Sequence, residues 1–344
     1  MSKIRVLVVD DSIMYRQLIS RNLEQDAGIE VVAMASNPYE ARDMIIRHKP
    51  DVMTLDVEMP RMDGISFLRQ LMPQYPIPTL MVSSLNSAVF DAMNAGAVDF
   101  VNKPVSQQPD SLVQWVKEEL IPKIKIAATI KVGRFLKTAP SAPVRVASTG
   151  RVYKNKVVAI GASTGGTEAI YNVVKHFQRD IPGTVIVQHM PPGFTKMYAD
   201  RINNQCKVAA KEAENGDLVE PGKILIAPGG KQMRLTKAGG IYRVEVKEGP
   251  KVSGHCPSVD VLFESVSKAA ASDAVGVILT GMGSDGARGL LAMHKAGAKT
   301  IGQDEKTCVV YGMPKVAYDI GAVDVQVPLD NIASKVYNVL NSMP

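Results

Sequence analysis

A serine set among glycines opens the chemistry of this chain of 344 residues. Residues Val157 to Gly166 read VVAIGASTGG. An apolar run ends there in Ser163, and Gly161, Gly165 and Gly166 permit a sharp turn and the close approach of another group. The spacing Gly161-x-Ser163-x-Gly165 matches the nucleophile-elbow pattern, in which a strand turns into a helix and holds a serine hydroxyl out at a sheet edge. The chemistry of such a serine is acyl transfer. The plainer alternative is a glycine-rich turn whose serine caps the next helix.

A serine hydroxyl needs a base, and the base needs an orienting group. The chain has five histidines. His48 ends a helical segment just ahead of Lys49-Pro50, and His176 and His294 fall in helical patterns away from strand ends. His189 instead closes the apolar run 184–188 and is followed by Pro191-Pro192, which stop regular structure. His255 lies in Ser253-Gly254-His255-Cys256-Pro257-Ser258 with no strand leading into it, so substrate contact is expected of it rather than proton transfer. Asp285 ends a third strand-like run, 275–279, through Thr280-Gly281-Met282-Gly283-Ser284-Asp285-Gly286. An aspartate there can accept from the ring of His189 and favour its imidazolium. Backbone N–H groups of the same loop, that of Met282 among them, could form an oxyanion hole. A phosphate-binding loop or a helix cap at Asp285 is the alternative. The order Ser163, His189, Asp285 differs from the orders known for unrelated triads, so an α/β-hydrolase fold does not follow from the elbow.

A second group of polar residues sits in the N-terminal part. Asp10 and Asp11 follow the apolar run 4–9, Asp56 follows 52–55, Ser83 follows 79–82, and Lys103 follows 98–101. Three crowded carboxylates repel one another, and a hard cation such as Mg²⁺ relieves this with oxygen ligands. A metal beside Asp56 would hold an incoming phosphoryl group for in-line transfer. Lys103 would neutralise phosphoryl charge, and the Ser83 hydroxyl would bond a phosphoryl oxygen.

The elements that must position these groups are legible as alternation. In the N-terminal part the five runs (the second is 31–35) are separated by periodic segments near 13–25, 39–48, 65–72 and 88–95, with a further one at 112–120. Strand–helix repetition predicts a parallel sheet with helices on both faces, and strand ends on one edge are where such folds place their sites. The C-terminal part alternates again, with runs at 157–160, 184–187, 224–226, 275–279 and 322–327 and helical segments such as 168–177, 259–271 and 290–296. Residues 233–236 and 241–246, joined through Ala238-Gly239-Gly240, read as a β-hairpin. The expected fold is therefore α/β: two doubly wound parallel-sheet domains, flavodoxin-like and then Rossmann-like, the second with a hairpin insertion. Between them, 126–154 lose the pattern and hold six basic and no acidic side chains, which reads as a linker. As a flexible coil it would span on the order of 30 Å. The expected domains are 1–125 and 155–344.

Composition narrows the class. Hydrophobic residues are 46% and charged residues 22%, an ordinary globular balance. The net charge of +6 is concentrated in the linker, which weighs against a nucleic-acid-binding face on either domain. No apolar run reaches the length of a membrane span, and the N-terminus lacks a signal h-region. Three scattered cysteines, Cys206, Cys256 and Cys308, suit a reducing cytoplasm.

At this point residues resemble known families. Asp10-Asp11, Asp56, Ser83 and Lys103-Pro104 at their strand ends resemble a response-regulator receiver domain over residues 1–125, with Phe100 at the family's aromatic switch position. The resemblance implies phosphorylation of Asp56 by a partner histidine kinase. GASTGG, the strand ending in His189-Met190-Pro191, the loop Gly254-His255-Cys256-Pro257-Ser258-Val259-Asp260 and GMGSDG resemble the catalytic domain of chemotaxis protein-glutamate methylesterases over 155–344. A receiver followed by that domain is the family's architecture. The resemblance implies hydrolysis of glutamate γ-methyl esters, and deamidation of glutamines, on the cytoplasmic domains of methyl-accepting chemoreceptors. Ser163, His189 and Asp285 match its triad, Thr164 and His255 would meet substrate, and the esterase chemistry takes no cofactor. It also implies that the unphosphorylated receiver restrains the catalytic domain. Two rivals remain: a receiver-controlled transcription factor, which would need a helix-turn-helix that the strand–helix alternation does not offer, and a nucleotide-binding output domain, for which GASTGG lacks the G-x-G-x-x-G spacing.

Overall fold

The computed structural model describes residues 2–84, 88–104, 108–130, 153 and 155–344. Most of the expected linker, 131–152 and 154, lies outside the described residues. The chain divides into two compact units, Met1–Ala139 and Pro140–Pro344.

In the first unit the elements run β1 (Ile4–Val9), α1 (Ile13–Leu23), β2 (Ile29–Ala35), α2 (Pro38–His48), β3 (Val52–Asp56), α3 (Gly64–Leu71), β4 (Thr79–Ser83), α4 (Val89–Asn94), β5 (Asp99–Asn102) and α5 (Pro109–Trp115). A π turn over Val116–Leu120 joins α5 to α6 (Ile121–Ala127). The sheet order is β2-β1-β3-β4-β5, all parallel. The order reverses between β1 and β3, and the crevice outside the strands' carboxyl ends opens at that switch point. β3 is buried along its whole length, as expected of a strand covered by helices on both faces. Capping follows the sequence: the side chains of Ser12, Asn37 and Asp63 accept N–H groups at the starts of α1, α2 and α3.

The second unit runs β6 (Val157–Ala162), α7 (Gly166–Val174), β7 (Gly183–Gln188), α8 (Phe194–Gln205), β8 (Ala209–Glu212), β9 (Lys223–Ile226), β10 (Gln232–Ala238), β11 (Ile241–Lys247), α9 (Val259–Ala269), β12 (Ala274–Ile278), α10 (Ala287–Lys295), β13 (Lys299–Gln303), α11 (Met313–Asp319), β14 (Val325–Val327) and α12 (Leu329–Ser342). Seven parallel strands take the order β14-β13-β12-β6-β7-β9-β8. The switch point falls between β6 and β12. β10 and β11 form the hairpin, antiparallel with Ala238 opposite Ile241. Gly239 and Gly240 at its tip have φ of 57° and 80°, the left-handed pair that a two-residue turn of matching twist requires. Among the described residues no helix is long and apolar enough to cross a membrane.

Two strands escaped the apolar-run reading. β13 reads Lys-Thr-Ile-Gly-Gln and lies inside the sheet, where its polar groups are paired: Thr300 with Asp324, and the Gln303 side-chain amide oxygen, which accepts the Thr280 N–H at 2.8 Å. β8, Ala-Ala-Lys-Glu, is a short edge strand. The run expected over 322–327 supplies a strand only at Val325–Val327, Ala322 closing the turn before it through its N–H to Ala317.

Side-chain parity explains the positions that matter. Val157 and Ala159 of β6, and Val185 and Val187 of β7, face one core with Val259 and Phe263 of α9, Leu290 and Met293 of α10, and Met233 and Val244 of the hairpin. Alternation along a strand carries that parity to Gly161, and beyond the strand ends to Ser163 and His189. A Cβ on Gly161 would lie 2.2 Å from a Val259 methyl, so glycine there lets the N-terminus of α9 approach β6. Gly161→Ala should therefore destabilise the protein by about 1–3 kcal/mol in urea titrations, and Val259→Ala in the same chain should restore most of the loss. Additive effects of the two substitutions would contradict this close-approach role.

Candidate functional site

The carboxyl edge of the second sheet gathers the sequence-expected residues. Register places Ala162 opposite Gln188, so Ser163 and His189 are the next residues beyond the ends of two paired strands. The His189 N–H still bonds the Ala162 carbonyl at 3.2 Å. On the other side the Ser163 N–H bonds the Thr280 carbonyl at 3.0 Å. Thus β6, β7 and β12 deliver Ser163, His189 and the 280–286 loop to one place. Ser163 sits in the corner between β6 and α7, which Gly165 turns with φ of 75°.

His189 Nε2 lies 2.8 Å from Asp285 Oδ2. The other ring nitrogen, Nδ1, is buried and has no hydrogen-bond partner among the described residues. The His189 ring stacks on that of His255, centroids 3.7 Å apart and planes within 10°. Asp285 is almost fully buried, 2% exposed. It accepts from the Ser258 hydroxyl at 2.7 Å, the Val259 N–H at 2.7 Å and the Asp260 N–H at 2.9 Å, besides His189. Those three donors form the N-terminus of α9, where the helix favours an anion. Burial pushes the Asp285 carboxyl up, but the bond and charge of His189, with the donors of Asp260 and Ser258, hold it below the usual carboxylate value. The residue is thus an ionised acceptor, suited to stabilise an imidazolium beside it.

The backbone around the serine is fixed in the same way. The Ser163 carbonyl accepts the Gly166 N–H at 2.7 Å and the Gln188 side-chain amide at 2.9 Å. The Thr164 carbonyl accepts the Thr280 hydroxyl at 3.0 Å, and Thr164 itself is 6% exposed. Met282 is half exposed, and its N–H takes no partner among the described residues. Sequence reasoning missed Ser258, Gln188 and Gln232. Gln232 receives the Ser258 N–H at 2.9 Å and donates to the His255 carbonyl at 3.3 Å. For Ser258 a signal existed, since a serine directly before a periodic apolar segment marks a helix start.

The first unit holds a separate acidic pocket at its switch point. Asp10, Asp11 and Asp56 each offer a carboxylate oxygen within 4.8 Å of the others. Asp10 and Asp56 are buried and Asp11 is exposed. Lys103 Nζ reaches Asp56 at 2.5 Å and Asp10 at 2.9 Å, and lies 4.7 Å from the centre of the Tyr15 ring. Burial pushes the Asp56 carboxyl up to about 6 against the pull of Lys103. The Ser83 hydroxyl is buried with no hydrogen-bond partner among the described residues. Phe100 is buried, its carbonyl receiving Lys123 at 2.6 Å. Clustered hard oxygens with one face open to solvent fit a Mg²⁺ ion, and an orphaned hydroxyl beside them fits an added oxyanion.

Comparison with known proteins assigns each of the two units to a family. Residues 158–336 match the family described as CheB methylesterase, and residues 6–117 match the response regulator receiver domain. A protein-glutamate methylesterase/protein-glutamine glutaminase 2 of Syntrophomonas wolfei is 58% identical, covering 99% of each chain. A protein-glutamate methylesterase/protein-glutamine glutaminase of Salmonella typhimurium is 46% identical, covering 97% of this chain and 96% of its own. The solved catalytic domain of the Thermotoga maritima CheB methylesterase is similar at 36% identity and a TM-score of 0.52, covering 54% of this chain and 97% of that one.

Removing the Asp285 carboxylate strands a helix terminus and the His189 ring. Asp285→Ala should cost roughly 3–5 kcal/mol at neutral pH, the range for removing the ion from a buried, hydrogen-bonded cluster. Because the folded carboxyl titrates below its ordinary 3.8, its contribution is complete above that value and is lost as pH falls through the folded value. Urea melts should show wild type and variant converging in acid; a gap unchanged to about pH 2 would contradict this linkage.

Proposed function

The chain belongs to the CheB methylesterase family and carries a response-regulator receiver domain, and from that footing we propose that it is a phosphorylation-activated protein-glutamate methylesterase and glutamine deamidase. Its substrates are the cytoplasmic domains of methyl-accepting chemoreceptors, and its role is adaptation in chemotaxis. The observation that carries the reading is the bond between His189 and the buried Asp285 at the strand ends flanking Ser163.

The reaction follows from that order. Ser163 Oγ attacks the ester carbonyl carbon while His189 takes its proton. Nε2 is engaged with Asp285, so Nδ1 is the nitrogen that receives it. The carbonyl oxygen becomes an oxyanion, for which the Met282 N–H is the donor; one such donor is worth about 10²–10³ in rate. His189 returns the proton to the departing methanol, or to ammonia when the substrate is glutamine. A water then attacks the acyl-serine, passing its proton through His189 to Ser163. Asp285 stays ionised and stabilises the imidazolium in both steps. Substrate contact is assigned to Thr164, next to the nucleophile, and to His255, stacked on the base.

In the receiver, Asp56 accepts a phosphoryl group from a histidine kinase. Asp10, Asp11 and Asp56 would hold Mg²⁺, which neutralises charge and orients the phosphoryl group. Lys103 counters the charge added to Asp56, and the Ser83 hydroxyl donates to a phosphoryl oxygen. Ser83 and the neighbouring Phe100 carry the change into the rest of the domain.

Methanol release from a radiomethylated chemoreceptor cytoplasmic fragment tests both halves. Ser163→Ala should abolish release with an unchanged melting temperature, and retained turnover would refute the triad. Asp56→Asn should keep basal release but lose the stimulation that a small phosphodonor with Mg²⁺ produces in the wild type. Stimulation surviving in Asp56→Asn would remove Asp56 from the phosphoacceptor role.

A further inference from the structure

Gln188, the last residue of β7, is 3% exposed. Parity points it to the face of the sheet opposite His189, away from the reacting atoms. Its amide nitrogen donates to the Ser163 carbonyl at 2.9 Å and to the His189 carbonyl at 3.3 Å. One side chain therefore bridges the backbones of the nucleophile and the base. The Ser163 carbonyl also accepts the Gly166 N–H, so both of its lone pairs are used and the plane of the Ser163–Thr164 peptide is set. That plane constrains the backbone of Ser163, and with it the position of the Cβ that carries the hydroxyl.

The arrangement has a cost. The Gln188 amide oxygen is buried with no hydrogen-bond partner among the described residues, so its desolvation is not repaid. It also requires glycine at the start of α7, because a Cβ on Gly166 would lie 2.1 Å from that oxygen. An apolar residue would fill the space at Gln188 without the orphaned oxygen, but would leave two carbonyls without their shared donor.

We propose that Gln188 is a positioning residue for the esterase reaction, a brace that holds Ser163 and His189 in mutual register. This rests on the assignment of Ser163 and His189 as nucleophile and base. The brace acts on the chemical step and leaves substrate binding alone, since it faces away from the site. Misplacement by about 1 Å can cost 10²-fold in rate, which sets the scale of its loss.

The test uses the full chain with Gln188→Met, close in shape but without a donor, and Gln188→Glu, close in shape and a donor only when protonated. Two readouts are followed: methanol release from a radiomethylated receptor fragment, and the rate at which a fluorophosphonate probe bonds Ser163 Oγ with loss of fluoride. Gln188→Met should lower kcat about 10- to 100-fold with KM unchanged, and should slow probe labelling by the same factor. Gln188→Glu should stay close to wild type wherever its carboxyl is protonated, the form that burial between two carbonyl acceptors favours, and lose kcat, relative to wild type at the same pH, as the medium is made alkaline. Wild-type kcat in Gln188→Met would overturn the proposal, as would a loss confined to KM. If Gln188→Met melts early, Gln188→Glu decides, and a pH-independent ratio to wild type overturns it. Ser163→Ala run in parallel separates the two levels: labelling or turnover surviving there defeats the nucleophile assignment itself, whatever Gln188 does.

Discussion

One buried carboxylate holds the proposed esterase site together. Asp285 accepts from the His189 ring, the Ser258 hydroxyl and the N–H groups of Val259 and Asp260. An ion in such a place is tolerable only when every lone pair is used, and here they are. The consequence reaches both ways. The helix terminus lowers the proton affinity of Asp285 and so makes it a dependable anion beside the imidazole. The anion in turn satisfies donors at the start of α9 that the helix itself cannot pair. The His189–Asp285 geometry and the docking of α9 on the sheet are therefore one arrangement, and Gly161 is the small residue that permits it.

Both units exploit the same property of parallel sheets. A doubly wound sheet leaves a crevice where its strand order reverses, outside the strands' carboxyl ends. In the first unit that crevice lies between β1 and β3 and holds Asp10 and Asp56. In the second it lies between β6 and β12 and is bordered by Ser163 and the 280–286 loop. The proposed chemistries differ because the residues differ. Packed carboxylates with Lys103 suit a cation and a phosphoryl group, whereas a hydroxyl, an imidazole and a single carboxylate with every lone pair bonded suit nucleophilic attack.

Much of this was legible in the amino-acid order, for a definite reason. Strand ends in a parallel sheet fall on one edge, so Ser163, His189 and Asp285 could be grouped from apolar runs alone. The hairpin was legible from Gly239-Gly240, because few other residues take two left-handed conformations in succession. β13 was hidden because its buried Thr300 and Gln303 look polar until their partners are known. Ser258 announces a helix start, but its bond to Asp285 joins residues far apart in the chain. Gln188 stands at the end of the run 184–188 without any mark of its own, and only the fold shows its amide spanning two backbones. The stacking of His255 on His189 likewise depends on how a loop without regular structure is folded back, which periodicity does not encode.

The strand order of the second unit bears on how the protein comes into being. β12 lies between β6 and β13, yet it is made long after β6 and β7. Until residue 278 has left the ribosome, one side of β6 has no neighbour, and its unpaired N–H and C=O groups are available to any passing strand. The nascent chain must keep that central gap open while more than a hundred residues are added, a slow, non-local closure. A product truncated before β12 would thus be both inert and adhesive, and helper proteins that shield sheet edges during synthesis would have their greatest effect on this half of the molecule.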